Sequence, residues 1–232
     1  MDLILYILAI FAMIFSLWAQ FKVKSTFDKY SRIKTAGGKT AAEVADMILS
    51  RAGIHDVRIE HVHGSLTDHF DPRTKTLRLS DSVYNSYSAA AIGVAAHEAG
   101  HAIQHEEEYM PIKIRSMLVP AASFATKFTW FLIMAGILMM SVNENGLGYY
   151  VMLSGVGLFS VATLFELVTL PCEFNASRRA MEALGNSGWY HKEELVASRK
   201  VLTAAALTYV AALATSIIQL LRLIVRLNNR RR

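Results

Sequence analysis

Four long apolar runs constrain this chain more than any other feature of its sequence. They cover approximately residues 3–19, 117–142, 147–170 and 201–221. A helix needs about 20 mostly apolar residues to cross the hydrocarbon core of a bilayer. The mean hydropathy of +0.30 and the 53% share of hydrophobic residues are too high for an ordinary soluble domain. We therefore predict a predominantly α-helical integral membrane protein with about four transmembrane helices.

The first run is predicted to be a retained anchor, transmembrane helix 1 at residues 1–20. Only Asp2 precedes it, so the basic region of a signal peptide is missing, and the residues after Trp18 do not form a cleavage site. The next two runs form a predicted transmembrane helical hairpin at 117–171, joined by the short linker 143–146. Leu170-Pro171 is expected to end its second arm.

Each arm of this hairpin carries an ionisable residue, Lys127 in one and Glu166 in the other. Such groups are costly in hydrocarbon and usually face a partner. Counted from the same face of the membrane they lie at similar depth, so we expect them to pair or to lie close together. The alternative is that Lys127 extends its amine to the membrane interface.

A metal-binding motif lies between the first two runs. Residues 95–105 contain His97, Glu98 and His101 in the pattern H-E-x-x-H, preceded by small apolar residues that suit a packed helix. Residues four apart share one helix face, so both imidazoles can bind one Zn²⁺, and the glutamate can act as general base. Two histidines on an apolar face without a metal would be costly to bury. This chemistry favours a zinc site over a chance match.

The residues before the motif predict a small α+β, zincin-like catalytic domain at 21–116. Thr40 and Glu43 form a capping-box pattern that opens a helix, which Gly53 closes. Residues 57–62 alternate as a strand does, and 66–80 predict a β-hairpin with a turn at Asp71-Pro72. Such a hairpin before a zinc helix either holds a peptide substrate along its edge or serves as scaffold.

Four further histidines lie in this region without the spacing of metal ligands. They are His55, His61, His63 and His69. We expect surface or hydrogen-bonded histidines here rather than a second metal site.

A catalytic zinc site needs a third protein ligand. His105 is excluded, because eight residues of helix place it about 12 Å from His97. The candidates lie in a catalytic segment at 172–200, on the same side of the membrane. Glu173 stands where the chain leaves the third run and is expected to open a helix, while Glu182, Glu193 and Glu194 have more polar surroundings. Other residues of the segment could orient ligands or bind an oxyanion; they are Asn175, Ser177, Arg178 and His191.

Three motifs carry a family resemblance that covers nearly the whole chain. They are D-H-F-D-P followed by L-R-L-S, A-A-H-E-A-G-H-A-I-Q at 95–104, and L-P-C-E-F-N-A-S-R-R-A at 170–180. The chain resembles the YugP-type zinc-dependent membrane peptidases and, more distantly, the HtpX-like and CAAX prenyl protease group. The resemblance implies Zn²⁺ on His97, His101 and Glu173, with Glu98 as catalytic base. Ser177 stands where the distant group has an aspartate, which puts a supporting hydrogen bond from that position in doubt.

We therefore predict a membrane-anchored zinc metalloendopeptidase of the HExxH-plus-Glu type, acting on a protein or peptide substrate at the bilayer surface. Intramembrane proteolysis is disfavoured, because polar residues flank the motif and its helix is too short to span. The alternative from another class is a non-catalytic membrane scaffold or chaperone-like protein with a vestigial metal site. Nothing in the sequence determines the oligomeric state.

Basic residues predict the orientation in a bacterial plasma membrane. Twelve of them lie near the membrane on the side of the motif: Lys22, Lys24, Lys29, Arg32, Lys34, Lys113, Arg115, Arg178, Arg179, Lys192, Arg199 and Lys200. The positive-inside rule then places the catalytic side in the cytoplasm. The final segment, transmembrane helix 4 and a basic end at 201–232, places its terminal arginines on the opposite side if that helix crosses fully. We interpret these charges as membrane-flanking and expect no nucleic-acid partner.

Overall fold

The computed structural model describes residues 2–142 and 146–229. The linker residues 143–145 and the terminal residues 230–232, on which part of the hairpin and topology predictions rest, lie outside this described part. The elements in chain order are α1 (Asp2–Tyr30), α2 (Ala41–Arg51), β1 (Arg58–Val62), β2 (His69–Asp71), β3 (Thr76–Ser80), α3 (Ala89–Glu106), α4 (Met110–Val142), α5 (Leu147–Gly185) and α6 (Lys192–Asn229).

The chain divides into two compact units, each assembled from separated stretches of sequence. The helical unit comprises Met1–Trp18, Ile114–Leu170 and Tyr209–Arg232. The mixed unit comprises Ala19–Lys113 and Pro171–Thr208.

The helical unit confirms the prediction of a helical membrane protein. Among the described residues, α1, α4, α5 and α6 are long and apolar enough to cross a membrane. Large apolar side chains on these helices are exposed, Leu3 by 72% and Phe131 by 70%. Helices satisfy their own backbone hydrogen bonds, so such apolar surfaces suit contact with lipid.

The predicted pairing of Lys127 with Glu166 is not found. Lys127 is exposed on α4, and no ion pair joins it to Glu166 in the described part of the chain. Glu166 instead has a side-chain hydrogen bond with Ser216 on α6. Equal depth in two neighbouring helices does not determine which way each side chain faces around its own helix axis.

The mixed unit contains the predicted helix, strand and hairpin. Thr40 caps α2 by accepting a hydrogen bond from the Glu43 amide, and the Glu43 carboxylate accepts one from the Thr40 amide. The sheet has the order β1-β3-β2, with β1 parallel and β2 antiparallel to β3. The central strand of this sheet is therefore β3, and the free edges belong to β1 and β2.

Helix α3 lies in the core of the mixed unit. Ser88 caps its start by accepting a hydrogen bond from the Ala91 amide. Its small residues permit close packing: a Cβ on Gly100 would lie 2.7 Å from the Ala176 carbonyl oxygen, and one on Gly93 would lie 3.1 Å from the Ser198 Cβ. The backbones of α3 and α5 thus touch beside the histidine motif.

Pro171 does not end a helix, contrary to the sequence prediction. Helix α5 continues through it to Gly185, so Glu173 lies inside a long helix rather than at the start of a new one. Proline removes one backbone hydrogen-bond donor, but its fixed φ is compatible with a helix. Apolar helices tolerate this loss when neighbouring groups satisfy the freed carbonyl.

Replacing Gly100 with alanine is expected to destabilise the mixed unit. The added methyl group would overlap the Ala176 carbonyl and force α3 and α5 apart, at a cost of about 1–3 kcal/mol. This corresponds to a fall of several degrees in the thermal unfolding midpoint of the protein in detergent. Gly185→Ala is the matched control, because nothing lies within 4 Å of its added Cβ. Equal midpoints for both variants would contradict the close packing.

Candidate metal centre

Three predicted ligands meet in the mixed unit. His97 and His101 lie one turn apart on α3, and Glu173 comes from α5. The Nε2 atoms of His97 and His101 lie 3.2 and 3.5 Å from one carboxylate oxygen of Glu173. One donor atom from each of the three residues lies within 4.8 Å of the others.

These separations fit a single tetrahedral ion. Ligand atoms about 2.1 Å from a tetrahedral zinc ion lie about 3.4 Å from one another. The separations of 3.2 and 3.5 Å from the carboxylate match this value. Two imidazoles and one carboxylate also form the donor set of catalytic zinc sites that keep a fourth position open.

The second ring nitrogen of each imidazole, Nδ1, also has a hydrogen-bond partner. The Nδ1 atom of His101 lies 3.0 Å from Oε1 of Gln104, and Nδ1 of His97 lies 3.1 Å from Oγ of Ser177. An amide oxygen can only accept, so Nδ1 of His101 donates to Gln104, and Nε2 is the nitrogen that faces Glu173 and is placed to bind a metal. The supporting hydrogen bond was in doubt because a serine, and not an aspartate, occupies position 177. The Ser177 hydroxyl makes this contact with His97.

A hydrogen-bonded network extends from Gln104 to the surface of the mixed unit. The fully buried Gln104 amide donates to the Cys172 carbonyl at 2.8 Å and to Oδ1 of Asn175 at 2.9 Å. Arg179 donates to the same Asn175 oxygen at 2.7 Å and to Glu107 at 2.6 Å. Buried polar chains of this kind fix the orientation of the group at their inner end.

Glu173 carries a negative charge in a buried position. Its exposure is only 2%, and burial alone would raise the pKa of its carboxyl. Hydrogen bonds from His101 and His97, together with their charge, outweigh that effect and hold the pKa far below its usual range. The carboxylate form is the one that binds a metal.

Glu98, the predicted general base, is buried on α3 between the two histidines. Asp68, in the loop before β2, is close enough for the Glu98 charge to raise its pKa. Burial is the larger cause of that rise, while hydrogen bonds from the Ser80 amide and hydroxyl oppose it. The carboxyl groups of Asp68 and Glu98 thus lie close enough to influence each other electrostatically.

The other candidate carboxylates lie elsewhere in the mixed unit. Glu182 is exposed and pairs with Arg178 at 2.7 Å, and Glu193 is also exposed. Glu194 was expected to be solvated, but it is buried. Hydrogen bonds from the Ala36 and His191 amides to its carboxylate offset the loss of water. None of them belongs to a metal-ligand group in the described residues.

His105 also stays outside the metal-ligand group, as predicted, and its ring contacts Phe70 at 5.6 Å. The sequence did not single out Gln104 or Arg179. Gln104 follows His101 by three residues, a spacing that places both on one side of a helix and could have indicated the contact. Arg179 follows Asn175 by four residues on α5, so helical spacing could also have indicated that contact. Its hydrogen bond to Glu107 joins segments 72 residues apart, and no local spacing reveals it.

Comparison with known proteins identifies the family. A family described as "Putative neutral zinc metallopeptidase" matches residues 5–228. The chain belongs to this family. The "Putative membrane protease YugP" of Bacillus subtilis (strain 168) is 46% identical over 217 residues, which cover 94% of this chain and 93% of that protein. No solved structure matches.

Membership in the neutral zinc metallopeptidase family confirms the predicted resemblance and the predicted cofactor, zinc. The four apolar helices and the related membrane protease agree that the protein is a membrane protein. A peptide is the class of substrate that a peptidase family implies.

Replacing Ser177 tests how the His97 imidazole is held. Ser177→Ala removes the hydroxyl at Nδ1 of His97, and loss of such a partner lowers zinc affinity by about 10–100-fold. Ser177→Asp restores an acceptor and should keep or exceed the wild-type affinity. Zinc competition with a chromophoric chelator measures the change. Ser187→Ala is the control, because Ser187 donates to the Leu184 carbonyl, away from the histidines.

Proposed function

We propose that this protein is a membrane-anchored zinc metalloendopeptidase. In this proposal His97, His101 and Glu173 bind the zinc ion, and Glu98 is the general base. One observation carries it: the Nε2 atoms of both histidines converge on a buried carboxylate at tetrahedral ligand separations, while outer partners hold both Nδ1 atoms. Glu98 would be superfluous in a closed structural zinc site, which needs no general base.

Zinc supplies Lewis-acid chemistry at such a site, polarising a carbonyl group and lowering the pKa of a water molecule to about 7. Glu98 takes a proton from the attacking water onto its carboxylate and later delivers that proton to the leaving amine. Gln104 and Ser177 keep the two imidazoles oriented throughout the cycle.

A peptide substrate can be held along β2, the edge strand of the hairpin. β3 is central and has partners on both sides, so an extended peptide can add to the sheet beside β2 but not beside β3. Phe70 on β2 contacts His105, one turn beyond His101 on α3. A cavity of about 220 Å³ lined by both residues could receive a substrate side chain.

The proposed location of the active site is the cytoplasmic side of the membrane. The twelve basic residues near the membrane lie in the two sequence stretches that supply the ligands. Positive charges of this kind retain flanking segments in the cytoplasm.

Replacing Glu98 and Glu173 separates catalysis from metal binding. We expect Glu98→Gln to retain one zinc ion per chain and to lose peptide cleavage by about 10²–10⁴-fold, because the amide cannot accept the proton. Glu173→Ala should lose both zinc and cleavage, since it removes a buried ligand. Metal analysis and a peptide-cleavage assay in detergent measure the two properties.

Glu193→Gln, at an exposed position outside the metal-ligand group, is the matched control and should behave as wild type. If Glu98→Gln cleaves as well as wild type, Glu98 is not the base. If Glu173→Ala keeps its zinc, the ligand assignment is wrong. A wild-type protein that holds zinc but cleaves no peptide would favour the non-catalytic scaffold.

Cysteine labelling tests the side of the membrane. The native Cys172 is buried, so wild type should remain unlabelled and serves as the background control. Cysteine introduced at the exposed Ser65 should react with a membrane-impermeant maleimide only after intact cells are permeabilised. Asn145→Cys, in the linker of the transmembrane hairpin, should react in intact cells. The reverse pattern would place the active site outside.

A further inference from the structure

His61, His63 and Asp81 form a second group of metal-binding side chains in the mixed unit. One donor atom from each lies within 4.8 Å of the others. None of the three takes part in the His97, His101 and Glu173 group. The sequence predicted only surface or hydrogen-bonded histidines in this region, because the histidine spacing alone does not reveal the carboxylate.

The parallel pairing of β1 and β3 brings these residues together. The register pairs Val62 with Ser80, so Asp81 continues the chain beside His63. Side chains two residues apart along an extended chain lie on the same side, which applies to His61 and His63. Their rings meet edge to face with centroids 5.4 Å apart.

Backbone hydrogen bonds hold the Asp81 carboxylate in place. The Gly64 amide donates to Oδ2 of Asp81 at 2.9 Å, and the Asp81 amide donates to the Gly64 carbonyl at 3.1 Å. Gly64 has a φ of 118°, a conformation that glycine adopts without strain. The other carboxylate oxygen of Asp81, Oδ1, therefore faces the imidazoles. It lies 2.5 Å from Nε2 of His61 and 3.8 Å from Nδ1 of His63.

An ordinary ion pair explains only part of this geometry. A simple ion pair between His61 and Asp81 would involve one imidazole only. Yet Nδ1 of His63 also lies 3.8 Å from the same Asp81 oxygen, although the His63 side chain is 96% exposed. Hydrogen bonds from Gly64 and His61 lower the pKa of Asp81, so it is a carboxylate at neutral pH. An ion would replace the short His61 contact, and rotation of the exposed His63 side chain would bring its nitrogen to ligand distance.

We propose that His61, His63 and Asp81 form a second, surface zinc site, with water completing the coordination shell. Two imidazoles and one carboxylate are ligands typical of zinc and of neighbouring divalent transition metals. The bound ion would join the ends of β1 and β3. Ser80, which precedes Asp81, holds Asp68 beside Glu98, so the ion would stabilise the part of the sheet that borders the candidate active site.

Zinc stoichiometry tests this site in the full-length protein. Metal-free protein in detergent is titrated with ZnCl₂ in an isothermal calorimeter, and bound zinc is then measured after desalting. We expect two zinc ions for wild type and one for the double variant His61→Ala/His63→Ala. The matched control is His55→Ala/His69→Ala, which removes two histidines of the same region that are outside the group and should keep both ions.

The same titration in the double variant His97→Ala/Glu173→Ala distinguishes the two sites. This variant should retain one zinc ion and lose it when His61 and His63 are also replaced. Thermal unfolding gives a separate readout: zinc beyond the first equivalent should raise the midpoint of wild type but not of His61→Ala/His63→Ala. A single zinc ion in wild type, or an unchanged second ion in His61→Ala/His63→Ala, overturns the proposal without affecting the proposed peptidase activity.

Discussion

The candidate metal centre depends on the close approach of α3 and α5. At Gly100 the two backbones lie so near that a Cβ would meet the Ala176 carbonyl oxygen at 2.7 Å. This contact brings Glu173, 76 residues from His97 in sequence, to within 3.2 Å of the His97 imidazole. A buried carboxylate and two imidazoles would be costly without a partner, so the packing and a bound cation stabilise each other.

The network behind the histidines connects the metal centre to the packing of α3 and α5. Gln104 on α3 bonds both the Cys172 carbonyl and the Asn175 side chain of α5. A shift between the two helices would therefore change the orientation of the His101 ring as well as the position of Glu173. Precise metal geometry requires such support, because a side chain fixed only at its own backbone retains rotamer freedom.

Local patterns made much of this structure predictable. The apolar runs indicated the spans, Thr40 and Glu43 the start of α2, and H-E-x-x-H the two histidines that converge. The sequence did not predict what depends on contacts between distant segments or on helix rotation: the partner of Glu166, the role of Gln104, and the meeting of Asp81 with His61. It was wrong at Pro171, where α5 continues as a helix because the fixed φ of proline is compatible with one and only a single backbone donor is lost.

The order of the ligands along the chain has a consequence for synthesis of the protein. Two of the proposed ligands, His97 and His101, precede the transmembrane hairpin, and the third, Glu173, follows it. The ribosome adds about 5–20 residues per second, so a nascent chain exists for several seconds with its histidines made and Glu173 still missing. During that interval the donor set is incomplete. The proposed zinc site can therefore be completed only after both arms of the hairpin have been synthesised.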